Sequence, residues 1–191
     1  MAPMRMRMII GCITICVSGA MPLSALSGEA PGGERVFADP ENYVANAFSG
    51  HAPERETLWP SDDLRSQLTD ILGHTPSLRF KYWAADGKTV WVLDEVGKDR
   101  PITAGVTIAQ DRIEDIQVLV FRETRGWEIK HDFFTRQFLD LWLDGKHRLS
   151  DKVDNITGAT LSVKAMTRMA KAALLMHQHT PQATGTLANA R

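Results

Sequence analysis

"LRFKYWAADGKTVWVLDEV", Leu78 to Val96, is two β-rich runs around Asp86-Gly87. Aromatic and β-branched residues crowd both runs, as a pleated, half-buried surface requires. Asp-Gly between them is the strongest short hairpin signal, because a tight primed turn needs positive φ at both centres. "ITAGVTIA", "QDR" and "IEDIQVLVF" repeat the arrangement up to Phe121. A small antiparallel sheet of two hairpins is therefore expected over Leu78–Phe121. Val90, Val92, Val106, Ile108, Ile116 and Val118 are its expected core positions, with alternate residues facing the other way.

The period lengthens on either side. In "ADPENYVANAFSG", Asp39 reads as an N-cap, Pro40 as the first helical residue and Gly50 as the end, with Tyr43, Ala47 and Phe48 inward. "WPSDDLRSQLTDILGH" gives a second helix. Ser61 caps it, Asp62 and Asp63 sit at its positive end, Leu64, Leu68, Ile71 and Leu72 form its apolar stripe, and Gly73 stops it. "FFTRQFLDLWLDGKH" predicts a third, with Phe134, Phe138, Leu141 and Trp142 on one face and Gly145 at its end. "SVKAMTRMAKAALLMHQH" predicts a fourth, packed through Val163, Met166, Ala170 and Leu174. Strands grouped together and flanked by helices define an α+β class, the sheet packed with helices in one domain.

The 191-residue chain has a formal net charge of -1, so bulk attraction to nucleic acid is excluded. Its N-terminus, "MAPMRMRM" followed by "MIIGCITICVSGAMPLSAL", has the basic lead and apolar run of a signal peptide, residues 1–25. Cleavage after Ala20 or after Ala25 is open. Pro22 and nearby small residues favour cleavage over an uncleaved anchor running from Met8 to Leu26. "IIGC" has too little apolar sequence before Cys12 for a lipoprotein signal. Cys12 and Cys16 are the only cysteines and both lie in this run, so the mature chain would hold no disulfide or thiolate ligand. Residues 26–77 read as a linker and helical segment, and 180–191 as a flexible tail.

The chemistry concentrates in "DKVDNITGATLSVKAM", Asp151–Met166. A loop of small polar residues runs straight into the fourth helix. The first amides of a helix lack internal partners and carry positive dipole character, which suits a phosphate. Gly158 and Ala159 leave room for close approach, Thr160 offers a hydroxyl, and Lys164 adds a charge one turn on. Read without a ligand, the same residues make a turn and a cap. The glycine and lysine spacing of a P-loop is absent. His177 and His179 near the tail lack a third ligand and read as surface residues. His131 and Asp132 read as solvated loop, and no Ser-His-Asp spacing stands out. Trp83 and Trp91 are expected to pack on the first hairpin.

"DNITGAT", continued by Leu161 and Ser162, resembles the flavinylation motif of the FMN-binding domain family. That family includes subunits of the sodium-pumping NADH:quinone oxidoreductase and of the Rnf electron-transfer complex. The resemblance implies FMN joined by a phosphoester to Thr160, with Asp154, Thr157, Gly158 and Ala159 as the preceding motif residues. An ApbE-type flavin transferase would form that bond from FAD outside the cytoplasm. "FRETRGWE" resembles the family's "ETxG" loop near the flavin, matched by Glu123, Thr124 and Gly126. Arg125 stands where many members have Pro. Trp127 stands where Leu is usual, and would offer the flavin ring a flat apolar surface. The likeness spans Lys81 to Met176 and implies an FMN-binding domain at 78–179.

Covalent FMN, export and a relay of electrons to a membrane redox protein or complex follow as what the resemblance implies. It points to an electron-transfer flavoprotein in the periplasm or another extracytoplasmic space, membrane-anchored if the signal is uncut, rather than a stand-alone enzyme. The alternatives are a flavin-dependent reductase of a quinone or ferric chelate, and a non-catalytic assembly or binding module.

Overall fold

A computed structural model describes residues 33–183. The signal-like run of residues 1–25 lies outside the described residues. The elements are, in order, β1 (Arg35–Val36), α1 (Pro40–Ala47), β2 (Arg55–Leu58), α2 (Asp62–Leu72), β3 (Phe80–Ala85), β4 (Lys88–Val96), β5 (Pro101–Ala109), β6 (Arg112–Phe121), α3 (Asp132–Thr135) and α4 (Thr160–His177). The strands form one antiparallel sheet in the order β1-β6-β5-β4-β3-β2. The α+β class holds, and the two expected hairpins are its central four strands.

The turns follow their sequence signals. Asp86 and Gly87 have φ of 51° and 76°, the primed geometry that matches strand twist. Gln110 and Asp111 reach 52° and 59° without a glycine. Asp39 accepts from the Asn42 amide at 2.9 Å and caps α1. Ser61 accepts from the Leu64 amide and caps α2, and Gly73 closes it in the left-handed region.

Residues 26–77 also carry two strands that the sequence reading misses. β1 pairs with the end of β6, and β2 pairs with β3 through Arg55–Leu58. Both are edge strands. One has two residues and the other is mostly charged or polar, so neither shows an alternating pattern. The segment before Leu78 is thus built into the same sheet.

Helices cover both faces. One face carries the larger core, where α2 and α4 bring Leu64, Leu68, Val163, Met166, Ala170 and Leu174 against Trp91, Ala104, Val106, Ile108, Ile116 and Val118. The other face holds Tyr43, Val44, Val90, Leu119 and Val120 under α1, with Val92 and Trp83 half-buried beside them. Val90 and Val92 therefore face away from Val106 and Ile108, and Trp91 takes their place in the larger core. Trp91 is fully buried, stacked on Tyr82 at 4.7 Å.

Two bulges in β6 explain its nearly continuous apolar run. The register steps from Ala104↔Val118 to Thr103↔Val120, which leaves Leu119 as the extra residue. Its carbonyl accepts from both the Phe37 and Ala38 amides. A one-residue insertion reverses the parity of a strand. Phe121 thereby returns to the larger core and hands the chain to the loop at 122–126.

The third predicted helix is corrected. α3 has four residues, a 3-10 turn follows at Arg136–Phe138, and the chain then leaves helical geometry. Asp140 takes a φ of 62°; its amide donates to the Ile113 carbonyl, while the Ile113 amide donates to the Leu141 carbonyl. The open backbone at the start of β6 outcompetes continued helix. Phe134, Phe138 and Leu141 are still buried, but Trp142 is 44% exposed, beneath the Arg112 guanidinium at 4.2 Å.

The C-terminal end is corrected as well. His177 is buried, not on the surface. Its Nδ1 lies 2.8 Å from Thr89 Oγ1, which also accepts from Trp91 Nε1. Burial pushes its pKa down, so the neutral ring accepts from the Thr89 hydroxyl. Thr180 and Ala183 are buried too, and Gln182 accepts from the Gly87 amide, so 180–183 pack on the first hairpin turn. His179 is exposed. No helix among the described residues is long and apolar enough to cross a membrane.

Candidate functional site

The start of α4 meets the loop that leaves β6 and the turn between β4 and β5. They enclose an open groove of about 620 Å3. Its walls hold Glu123, Thr124, Gly158, Ala159, Thr160, Leu161 and Ser162 from the sequence reading, and add Lys98 and Arg125. Five expected residues, Asp154, Thr157, Lys164, Gly126 and Trp127, are not on these walls. Asp154 and Thr157 are exposed in the preceding loop, and Lys164 is exposed on α4. Trp127 is 37% exposed and leans on His131 at 5.4 Å, with Lys130 Nζ 5.1 Å from its ring.

Local geometry sets the start of α4. The Ala159 amide donates to the Ile156 carbonyl at 2.9 Å, closing a tight turn, and Gly158 takes the left-handed φ of 87° that this turn needs. A Cβ at Gly158 would meet nothing within 4 Å, so that side is open. Thr160 is then the first residue of α4. Unlike α1 and α2, α4 has no side-chain cap. Its first-turn amides and positive dipole end are left facing the groove, as an anion cradle requires. The Thr160 hydroxyl accepts from Asn155 Nδ2 at 2.9 Å.

Glu123 lines the groove, yet one of its oxygens is already engaged. Oε1 accepts from the amides of Lys98, Asp99 (2.8 Å) and Arg100 (3.1 Å). Burial pushes the carboxyl pKa up, but the three amides outweigh it and hold it below its ordinary 4.5. Glu123 therefore ties the β4–β5 turn to the groove and presents Lys98 there. Glu123→Ala is expected to cost about 1.5–3 kcal/mol, the worth of charge-assisted bonds to backbone donors. The pH dependence has a definite sign. A depressed carboxyl contributes stability above its unfolded pKa, and that stability is lost as pH falls through the lower folded value. Glu123→Gln should thus flatten the loss of stability below about pH 4.5 in urea titrations. An acid limb unchanged from wild type would refute the assignment.

Gly126 joins the two walls. Its φ is 89°, and a Cβ there would lie 2.4 Å from Ser162 Oγ. Ser162 is buried against it, so the loop packs directly on the first turn of α4. Further along, Arg168 on α4 donates to buried Glu95 at 2.8 Å and to the Val96 carbonyl, fixing the helix to the end of β4. The sequence reading missed Asn155, Lys98 and Gln137, whose Oε1 accepts from the Asp154 amide at 2.7 Å. Asn155 lies within the quoted motif, and only the turn brings it to Thr160. Lys98 and Gln137 give no such signal.

An uncapped helix start, a hydroxyl on its first residue and two cations on the groove walls together suit a phosphorylated ligand. Residues 97–175 match the family model of the FMN-binding domain. The protein is a flavoprotein with an FMN-binding module. The match begins at the β4–β5 turn and ends within α4, so it contains every wall of the groove. No curated protein matches the chain.

Proposed function

We propose that this chain is an exported flavoprotein that carries FMN covalently on Thr160 and relays electrons between membrane-associated redox partners. The observation that carries the reading is the Thr160 hydroxyl on the first residue of an uncapped 18-residue helix, in a groove flanked by Lys98 and Arg125. The residues present fit the group. The first-turn amides of α4 suit the phosphate, and Lys98 and Arg125 offset its charge. The half-exposed Leu161 gives the groove an apolar wall for a flavin ring. Bound FMN supplies the one- and two-electron chemistry.

The chain's own residues bind and orient. The titratable wall groups are Lys98, Glu123 and Arg125. Glu123, held ionised, is a poor proton donor at neutral pH. Export rests on the basic lead and apolar run of residues 1–25. An ApbE-type flavin transferase is the proposed source of the attached FMN, and a membrane redox protein or complex the partner.

The test is the intact mass of the chain after export and co-expression with such a transferase. One added FMN less water is expected. An unmodified chain beside a fully modified control protein would overturn the reading.

A further inference from the structure

We propose that Asn155 is the positioning residue for the attachment of FMN, an inference that rests on the reading of Thr160 above. The turn closed between Ile156 and Ala159, with Gly158 in the left-handed region, folds Thr160 back over the residue five positions earlier. Asn155 Nδ2 then donates to Thr160 Oγ1 at 2.9 Å. A hydroxyl has two acceptor lone pairs and one proton. With one lone pair held by the amide, the side-chain rotamer is fixed. The second lone pair and the proton remain available, on a residue that lines the groove.

The step itself is a transfer of flavin phosphate from FAD. Thr160 Oγ forms the bond to the flavin-side phosphorus. The phosphoanhydride bond to the adenosine phosphate breaks, AMP leaves with that electron pair, and the hydroxyl proton passes to solvent. No atom changes oxidation state. The bridging ester oxygen is a weak acceptor, while the non-bridging phosphate oxygens carry the negative charge. The Asn155 amide therefore has a donor's use before and after the transfer. A carboxylate at the same place would oppose the pyrophosphate and the product phosphate alike.

That opposition separates positioning from mere support of the helix. An acidic side chain beside the start of α4 stabilises it through the dipole. Were Asn155 only structural, Asn155→Asp would hold or raise the melting temperature and leave FMN transfer intact. The proposal expects the melting temperature held or raised and transfer lowered.

The experiment follows added mass over time for the full chain with an ApbE-type transferase and FAD. Asn155→Ala should lower kcat for transfer about 3- to 10-fold, the worth of one neutral hydrogen bond, with KM for the chain little changed. Asn155→Asp should fall about tenfold further. Asn155→Ala at the wild-type rate, or Asn155→Asp at or above the Asn155→Ala rate, would overturn the proposal. A wild-type chain that stays unmodified beside a modified control would overturn the Thr160 reading and this proposal with it.

Discussion

Thr160→Ala is expected to abolish covalent FMN completely while leaving the fold in place. Three hydroxyls lie close to the start of α4, and their surroundings differ. Ser162 is buried against Gly126, so its hydroxyl is closed to a ligand as large as FMN. Thr157 is exposed but off the groove wall. Thr160 is exposed, on the wall and at the positive end of the helix. Its side chain buries little, and alanine is a better helix former than threonine. Stability should change by no more than about 0.5 kcal/mol. Thr160→Ser keeps the hydroxyl and should still accept FMN. Intact mass and a thermal melt read both halves of the claim. Added mass retained in Thr160→Ala would move the attachment to another residue. A melting temperature lowered by tens of degrees would show that Thr160 holds the fold together, against the exposure argued here.

The legible parts of this chain are those where local chemistry and tertiary structure agree. Asp86-Gly87, the Asp39 and Ser61 caps and the stripe of α2 each satisfy a local rule, and the structure keeps them. The turn before α4 and the helix itself were legible because small polar residues sit directly before an apolar stripe at helical spacing, and the structure keeps both. The misses have a common cause, which is pairing at a distance. Phe133–His147 has helical periodicity, yet Asp140 and Leu141 bond to Ile113, which is far away in sequence. β1 and β2 exist only because β6 and β3 offer open edges. His177 looked like a surface residue until Thr89, 88 positions away, became its partner. Glu123 lines the groove, but no local pattern shows that its Oε1 also serves the turn at Lys98–Arg100. None of these partners is visible in a window of sequence.

Gly126→Ala is expected to be the most damaging small substitution near the groove, lowering stability by about 2–4 kcal/mol. Two costs combine. The backbone at φ 89° disfavours any side chain, which is worth about 1–2 kcal/mol. The new Cβ would also lie 2.4 Å from Ser162 Oγ, 3.3 Å from Ser162 Cβ and 3.5 Å from the Ala159 Cα. The loop must lift from α4, and Thr124 and Arg125 lift with it from the groove wall. FMN attachment should therefore slow as well. The two costs separate in a double-mutant cycle. Ser162→Ala removes the hydroxyl oxygen that the new Cβ meets first and leaves the backbone strain in place. Gly126→Ala with Ser162→Ala should recover about 1–2 kcal/mol relative to the sum of the single changes, because the two residues are in direct contact. Urea melts of the four proteins give the coupling. Additive losses would mean that the loop and α4 do not touch through Gly126 and Ser162. The groove would then lack the packing that sets Arg125 and Thr160 on its walls.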